Sequence, residues 1–249
     1  METVNKILII SRYRFWSYTA GTYLLGYLLG VANLNSFISL EFLVSFVYFL
    51  LPANLFLYGV NDYFDRDADV FNQKKGTMEY RFKLADENFL SGLIKICVFI
   101  SIIFILFLQP FLAKLTAALF TFLSYFYSAT PLRFKTKPII DSVSNVLYIL
   151  PGIIGYLQTS TTHPPVSIII GLWCWVMAMH LFSAIPDINS DKKANILTTA
   201  VYLGKSKSLL LCTFLWSVFF LNIYSLIPFG LGSALIIYPL IPLINLVFK

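Results

Sequence analysis

Apolar runs of membrane-spanning length recur along this chain, and they leave it few ways to fold. In hydrocarbon every backbone N–H and C=O must bond within its own segment, so such runs become helices. Reading runs of roughly 17–25 residues as spans gives eight, at 15–32, 42–60, 89–108, 111–127, 141–156, 166–185, 209–226 and 231–248. Only 12% of the 249 residues are charged and the mean hydropathy is +0.78, whereas a soluble domain carries about 25% charged residues. The expectation is an all-α, polytopic membrane helix bundle, one domain over 1–249, arranged around a central cavity.

The net charge of +6 needs no nucleic-acid partner. Lys6, Arg12 and Arg14 precede the first span, and Arg66, Lys74, Lys75, Arg81 and Lys83 follow the second. Arg133, Lys135 and Lys137 follow the fourth, and Lys192, Lys193, Lys205 and Lys207 follow the sixth, while Lys114 is the exception on the other face. That alternation obeys the positive-inside rule for an even number of crossings, with both termini and the basic loops cytoplasmic. The polar, basic start predicts no cleavable leader. Cys97, Cys174 and Cys212 stand singly in apolar runs as small buried thiols. With His163 and His180 the only histidines, histidine-rich di-iron or haem chemistry is disfavoured.

Two acidic clusters break the apolar pattern, each at the end of a span on the basic face. The first contains Asn61, Asp62, Asp65, Asp67 and Asp69, and the second Asp187 and Asp191. If the second span continues as a helix, Asp62, Asp65 and Asp69 share one face, with Asp67 on another. Carboxylates are costly there without water, a cation or a partner. A hard cation such as Mg²⁺ accepts one or two carboxylates and completes its shell with water and phosphate oxygens. Two facing carboxylate stripes could therefore hold Mg²⁺ ions with a diphosphate between them. Taken singly, either cluster could be a polar cap at the membrane boundary; equivalent helix ends on one face favour a site.

Basic and polar residues complete the candidate set. Tyr127 and Ser128 open a turn through Pro131 to Arg133, which can bond phosphate bidentately, and Lys135, a point charge. Lys192 beside the second cluster is a further substrate-binding candidate, and it also serves as a positive-inside anchor. Arg12 and Arg14 read chiefly as anchors. Inside the spans, Asn54, Asp141 and Asn145 need partners; lining the cavity and bonding between helices are both open for them.

These motifs resemble the UbiA superfamily of intramembrane prenyltransferases. Asn61-Asp62-x-x-Asp65-x-x-x-Asp69 is similar to its NDxxDxxxD motif, Asp187-x-x-x-Asp191 to its DxxxD motif, and the 127–135 stretch to its YSxxPxRxK loop. Residues 52–76, 141–152 and 183–188 most resemble the lycopene elongases, which make C50 carotenoids. The resemblance implies Mg²⁺-dependent transfer from an allylic prenyl diphosphate to a hydrophobic acceptor in the lipid bilayer. Dimethylallyl diphosphate and a carotenoid such as lycopene are the expected pair. A quinone-precursor ring or tetrapyrrole is the alternative acceptor, and a cation or organic-anion transporter is the rival of another class. The family usually has nine spans where eight are counted here, and Asn195 stands where relatives often have Gly.

Overall fold

The computed structural model describes residues 2–66, 80–226 and 229–247. Its regular elements there are all helical, and the chain divides into two compact units. Unit 1 comprises Met1–Arg133 and Leu147–His163, and unit 2 comprises Phe134–Val146 and Pro164–Lys249.

Unit 1 begins with α1 (Glu2–Ile10), which buries Ile10 against Val60, Leu55, Phe56 and Leu90. A 3-10 turn, Tyr13–Tyr18, leads into α2 (Ala20–Gly30). The second span is one apolar stretch, Leu40–Phe64, made of α3 (Leu40–Leu50) and α4 (Pro52–Phe64). Pro52, which has no N–H to donate, marks the break at the first turn of α4. Next come α5 (Glu87–Phe107) and α6 (Phe111–Phe126). A later helix of this unit, α8 (Leu150–Thr159), crosses α2 at close range.

Unit 2 holds α7 (Ile140–Val143), α9 (Val166–Ala184), α10 (Ile188–Lys193), α11 (Thr199–Ile223), α12 (Phe229–Ala234) and α13 (Ile237–Val247). Its core packs Ala178 and Leu181 of α9 against Cys212, Leu215 and Trp216 of α11, with Tyr238 of α13 alongside.

Large apolar side chains also cover the outside. Along α5, Phe99 and Leu106 are 64% and 68% exposed while Cys97, Ser101 and Phe104 are buried, and Phe214 and Leu221 of α11 are 63% and 72% exposed. A surface of this kind is stable only against hydrocarbon. The chain is an integral, multi-pass membrane protein. Among the described residues five helices are long and apolar enough to cross a bilayer, and 111–126 and 232–247 are shorter apolar helices. The first expected span is shorter as a helix than its hydropathy suggests, since its opening residues form the 3-10 turn. The seventh begins ten residues earlier than expected, at Thr199 rather than 209, with a left-handed break at Gly204 (φ 72°).

Candidate active site

The first acidic cluster closes α4, but not as a continuous helical stripe. The helix ends at Phe64, and Asp65 is its C-cap, its N–H still bonded to the Asn61 carbonyl. Asp67, Asp69, Lys74 and Lys75 lie outside the described residues. Asp62 and Asp65 are 0% and 1% exposed. Ionised carboxylates at such depth require compensation, which two arginines provide. The Arg12 guanidinium donates to Asp62 Oδ1 at 3.1 Å and to Asn61 Oδ1 at 2.9 Å, and Arg133 pairs with Asp65 at 3.4 Å.

Asn61 connects the two halves of this network. Its Nδ2 donates to Asp65 Oδ2 at 2.5 Å and to Ser128 Oγ at 2.9 Å. Arg12 belongs to the site rather than to the membrane boundary alone. It sits where α1 ends and the chain reverses, at φ 48°, beside Ser11, whose hydroxyl donates to the Leu8 carbonyl and accepts from the Trp16 indole. Arg133 is likewise left-handed at φ 40°. Tyr127, half-buried, closes α6 just before Ser128.

The second cluster belongs to unit 2. Asp187 is the N-cap of α10 and Asp191 lies one turn further, its N–H bonded to the Asp187 carbonyl at 2.9 Å. Thr198 donates to Asp191 Oδ2 at 3.4 Å. Burial and the neighbouring Asp187 push the Asp191 carboxyl above its ordinary value, while Thr198, Lys135 and His180 pull it down. Lys135 thus lends its charge to this cluster. Asn195, at φ 54°, follows the cluster in a left-handed conformation that Asn tolerates nearly as Gly does. Lys192 is exposed on the last turn of α10.

Three other candidates take structural places. Asn54, 0% exposed, donates to Thr19 Oγ1 at 2.7 Å and to the Phe49 and Leu50 carbonyls at 2.8 and 3.0 Å. It ties α4 to α3 and to Thr19, the N-cap of α2. Asp141, 1% exposed, accepts from the Thr199 amide at 2.8 Å and from its hydroxyl, and lies 3.8 Å from His180 Nε2. It fastens α7 to the start of α11. Asn145 donates back to the Asp141 carbonyl at 2.6 Å. Polarity in a span marks a demand for partners without saying whether ligand or protein meets it; Thr199 and His180 carried no site signal of their own, whereas Ser128 belongs to the 127–135 stretch.

Among the described residues no three His, Cys, Asp or Glu side chains gather into a metal cage. The donors present are hard oxygens in pairs, which suits Mg²⁺, an ion that takes one or two carboxylates and fills its shell from phosphate and water.

A multi-pass helical membrane protein with two acidic centres, each beside a cation from one loop, describes an intramembrane enzyme for an anionic lipid-like substrate. The chain belongs to the UbiA prenyltransferase family, whose model matches residues 19–249, and is a prenyltransferase. It is 40% identical over 241 residues to a lycopene elongase/hydratase of Halobacterium salinarum, covering 94% of this chain and 84% of that protein. A lycopene elongase/hydratase of Haloferax volcanii is 41% identical, covering 95% and 77%, and one of Corynebacterium glutamicum 33%, covering 82% and 71%. The fold matches a UbiA homologue of Archaeoglobus fulgidus bound to DMAPP and Mg²⁺, with TM-score 0.76, 19% identity, and coverage of 95% of this chain and 85% of that one. It also matches digeranylgeranylglyceryl phosphate synthase, with TM-score 0.70, 19% identity and coverage of 98% and 88%.

Proposed function

We propose that this chain, acting over 1–249 as one prenyltransferase domain, moves the dimethylallyl group of dimethylallyl diphosphate onto a carotenoid such as lycopene. The reading is carried by the likeness, through nearly the whole chain, to proteins named lycopene elongase/hydratase. The two acidic centres supply the chemistry such a reaction needs.

In this reading Asp62, Asp65 and Asp69, with Asp187 and Asp191, hold Mg²⁺. Bound there, the metal would neutralise the diphosphate so that the allylic C–O bond can ionise. Asn61 fixes the Asp65 carboxylate through its amide, and Ser128 supports the same oxygen. Arg133 and Arg12 present planar guanidinium groups suited to phosphate oxygens, and Lys135 adds a point charge. The apolar spans keep water from the allylic cation until the acceptor double bond attacks. The basic loops that carry these residues, and both termini, face the cytoplasm.

The test uses membranes containing the full chain, labelled dimethylallyl diphosphate and lycopene. Chelation should abolish product formation and Mg²⁺ should restore it. Asp62→Ala and Asp187→Ala should each lower turnover by about a hundredfold or more, the scale on which lost electrostatic stabilisation acts. Wild-type turnover in both variants, with the protein still folded in the membrane, would remove the mechanism.

A further inference from the structure

Four aromatic rings of unit 1 close on one another directly beneath the first acidic cluster. Phe15 stacks on Tyr18 with centroids 5.5 Å apart, Tyr18 meets Tyr148 edge-on at 6.0 Å, and Phe15 lies 6.2 Å from Tyr58. The Tyr58 and Tyr148 hydroxyls, 3.5 Å apart, complete the cycle. The rings come from three places in the chain: the turn before α2, the body of α4 and the 3-10 segment before α8.

Tyr58 precedes Asp62 by four residues on α4, so both face the same way, separated by one turn, about 6 Å along the axis. The Arg12 guanidinium shows how near they are, since it lies 4.5 Å over the Tyr58 ring while bonded to Asp62. One small planar group touches both. A chain attached to a phosphate at Asp62 and running inward along α4 meets the aromatic cycle after one five-carbon unit. Its second unit would need the space the rings fill.

We propose that Phe15, Tyr18, Tyr58 and Tyr148 form a gauge of donor length, admitting one isoprene unit and stopping a second. The proposal rests on the reading of the first acidic cluster as the diphosphate site. The rings make and break no bonds. The allylic C–O electrons leave with the diphosphate, the acceptor's π electrons form the new C–C bond, and the acceptor cation that results sheds a proton to restore a double bond. Fit alone does the selecting, and a polar rim with a greasy floor discriminates by what it excludes.

The experiment offers dimethylallyl and geranyl diphosphate together, with lycopene, to membranes containing the full chain, and weighs the products. Wild type should favour the five-carbon donor by about tenfold or more, the range one misfitted apolar group commands. Tyr148→Ala and Tyr18→Ala should move that ratio towards the ten-carbon donor by about tenfold. Tyr148→Leu and Tyr18→Leu, apolar but shorter than tyrosine and without its ring, open part of the same space and serve where an alanine variant is not monodisperse in detergent. Equal use of both donors by wild type, or a ratio within about twofold of wild type in every folded variant, would overturn the gauge. Thermal stabilisation by each diphosphate with Mg²⁺, measured without acceptor, separates the two ideas. Greater protection by the five-carbon donor in wild type, lost in the variants, supports the gauge even if lycopene is not the acceptor. No difference between the donors, or no protection by either, overturns it.

Discussion

Arg12 and Asn54 exchange the places their sequence contexts suggest. A basic residue ahead of the first span reads as an interfacial anchor, and only the folding of α1 against α4 brings residue 12 to residues 61 and 62. That position holds a left-handed backbone at φ 48°, which costs a non-glycine residue roughly 1–2 kcal/mol, so the guanidinium contacts must more than repay the strain. Arg12→Lys removes the planar donor pair and the face laid on Tyr58. We expect KM for the diphosphate donor to rise about tenfold, about 1.4 kcal/mol, in a steady-state titration of donor with kcat reduced less than KM is raised. Asn54 should behave in the opposite manner. Asn54→Ala deletes three donated bonds, although the Phe49 carbonyl keeps the Thr19 hydroxyl, a loss of about 1–3 kcal/mol. It should lower the melting temperature in detergent and leave donor KM unchanged. A raised KM with unaltered melting would return Asn54 to the substrate.

Helix ends and crossings separate what the linear pattern conveys from what it does not. The spans, the acidic clusters at their ends and the loop 127–135 were legible because hydropathy and charge act locally. The end of α4 at Phe64 was not, since no Gly or Pro marks it, and neither was the start of α11 at Thr199, where the Asp141 carboxylate takes the amide and hydroxyl of a residue 58 positions away. The crossing of α2 and α8 is a further long-range fact. A Cβ added at Gly26 would come within 1.9 Å of the Gly152 carbonyl oxygen, and one at Gly155 within 2.4 Å of the Tyr23 carbonyl oxygen. Backbones this close exploit small residues, as helix pairs in membranes commonly do. Gly26→Ala cannot be absorbed by a side-chain rotation because the obstacle is backbone. The helices must part, which strains the Tyr23–Gln158 bond of 2.8 Å as well. Gly26→Ala should therefore reduce monodisperse yield and melting temperature, while Gly92→Ala on α5, with nothing within 4 Å of the added atom, should do neither.

For the whole molecule the proposed orientation in the bilayer rests on the basic residues, and some have a second duty. Arg12, Arg133 and Lys135 are engaged with acidic clusters, so mutating them confounds topology with chemistry. Lys137 and Lys207 are exposed and follow the fourth and sixth spans, while exposed Thr161 joins α8 to α9 and Lys114 lies at the start of α6, its Nζ 3.2 Å from the Leu106 carbonyl. In the proposed orientation the first pair lies in the cytoplasm and the second pair outside. Cys97 and Cys212 are buried and Cys174 is half-buried, so a background lacking all three should fold and leave introduced thiols as the only reactive sites. Cysteines replacing Thr161 and Lys114 should then react with an impermeant maleimide added to intact cells, and those replacing Lys137 and Lys207 only after the membrane is opened. Labelling of Thr161→Cys and Lys207→Cys from the same side would break the alternation on which the orientation rests. The reverse pattern, with the basic loops labelled from outside, would put the acidic centres on the face where an intracellular diphosphate cannot reach them, and the proposed donor would have to be abandoned with the topology.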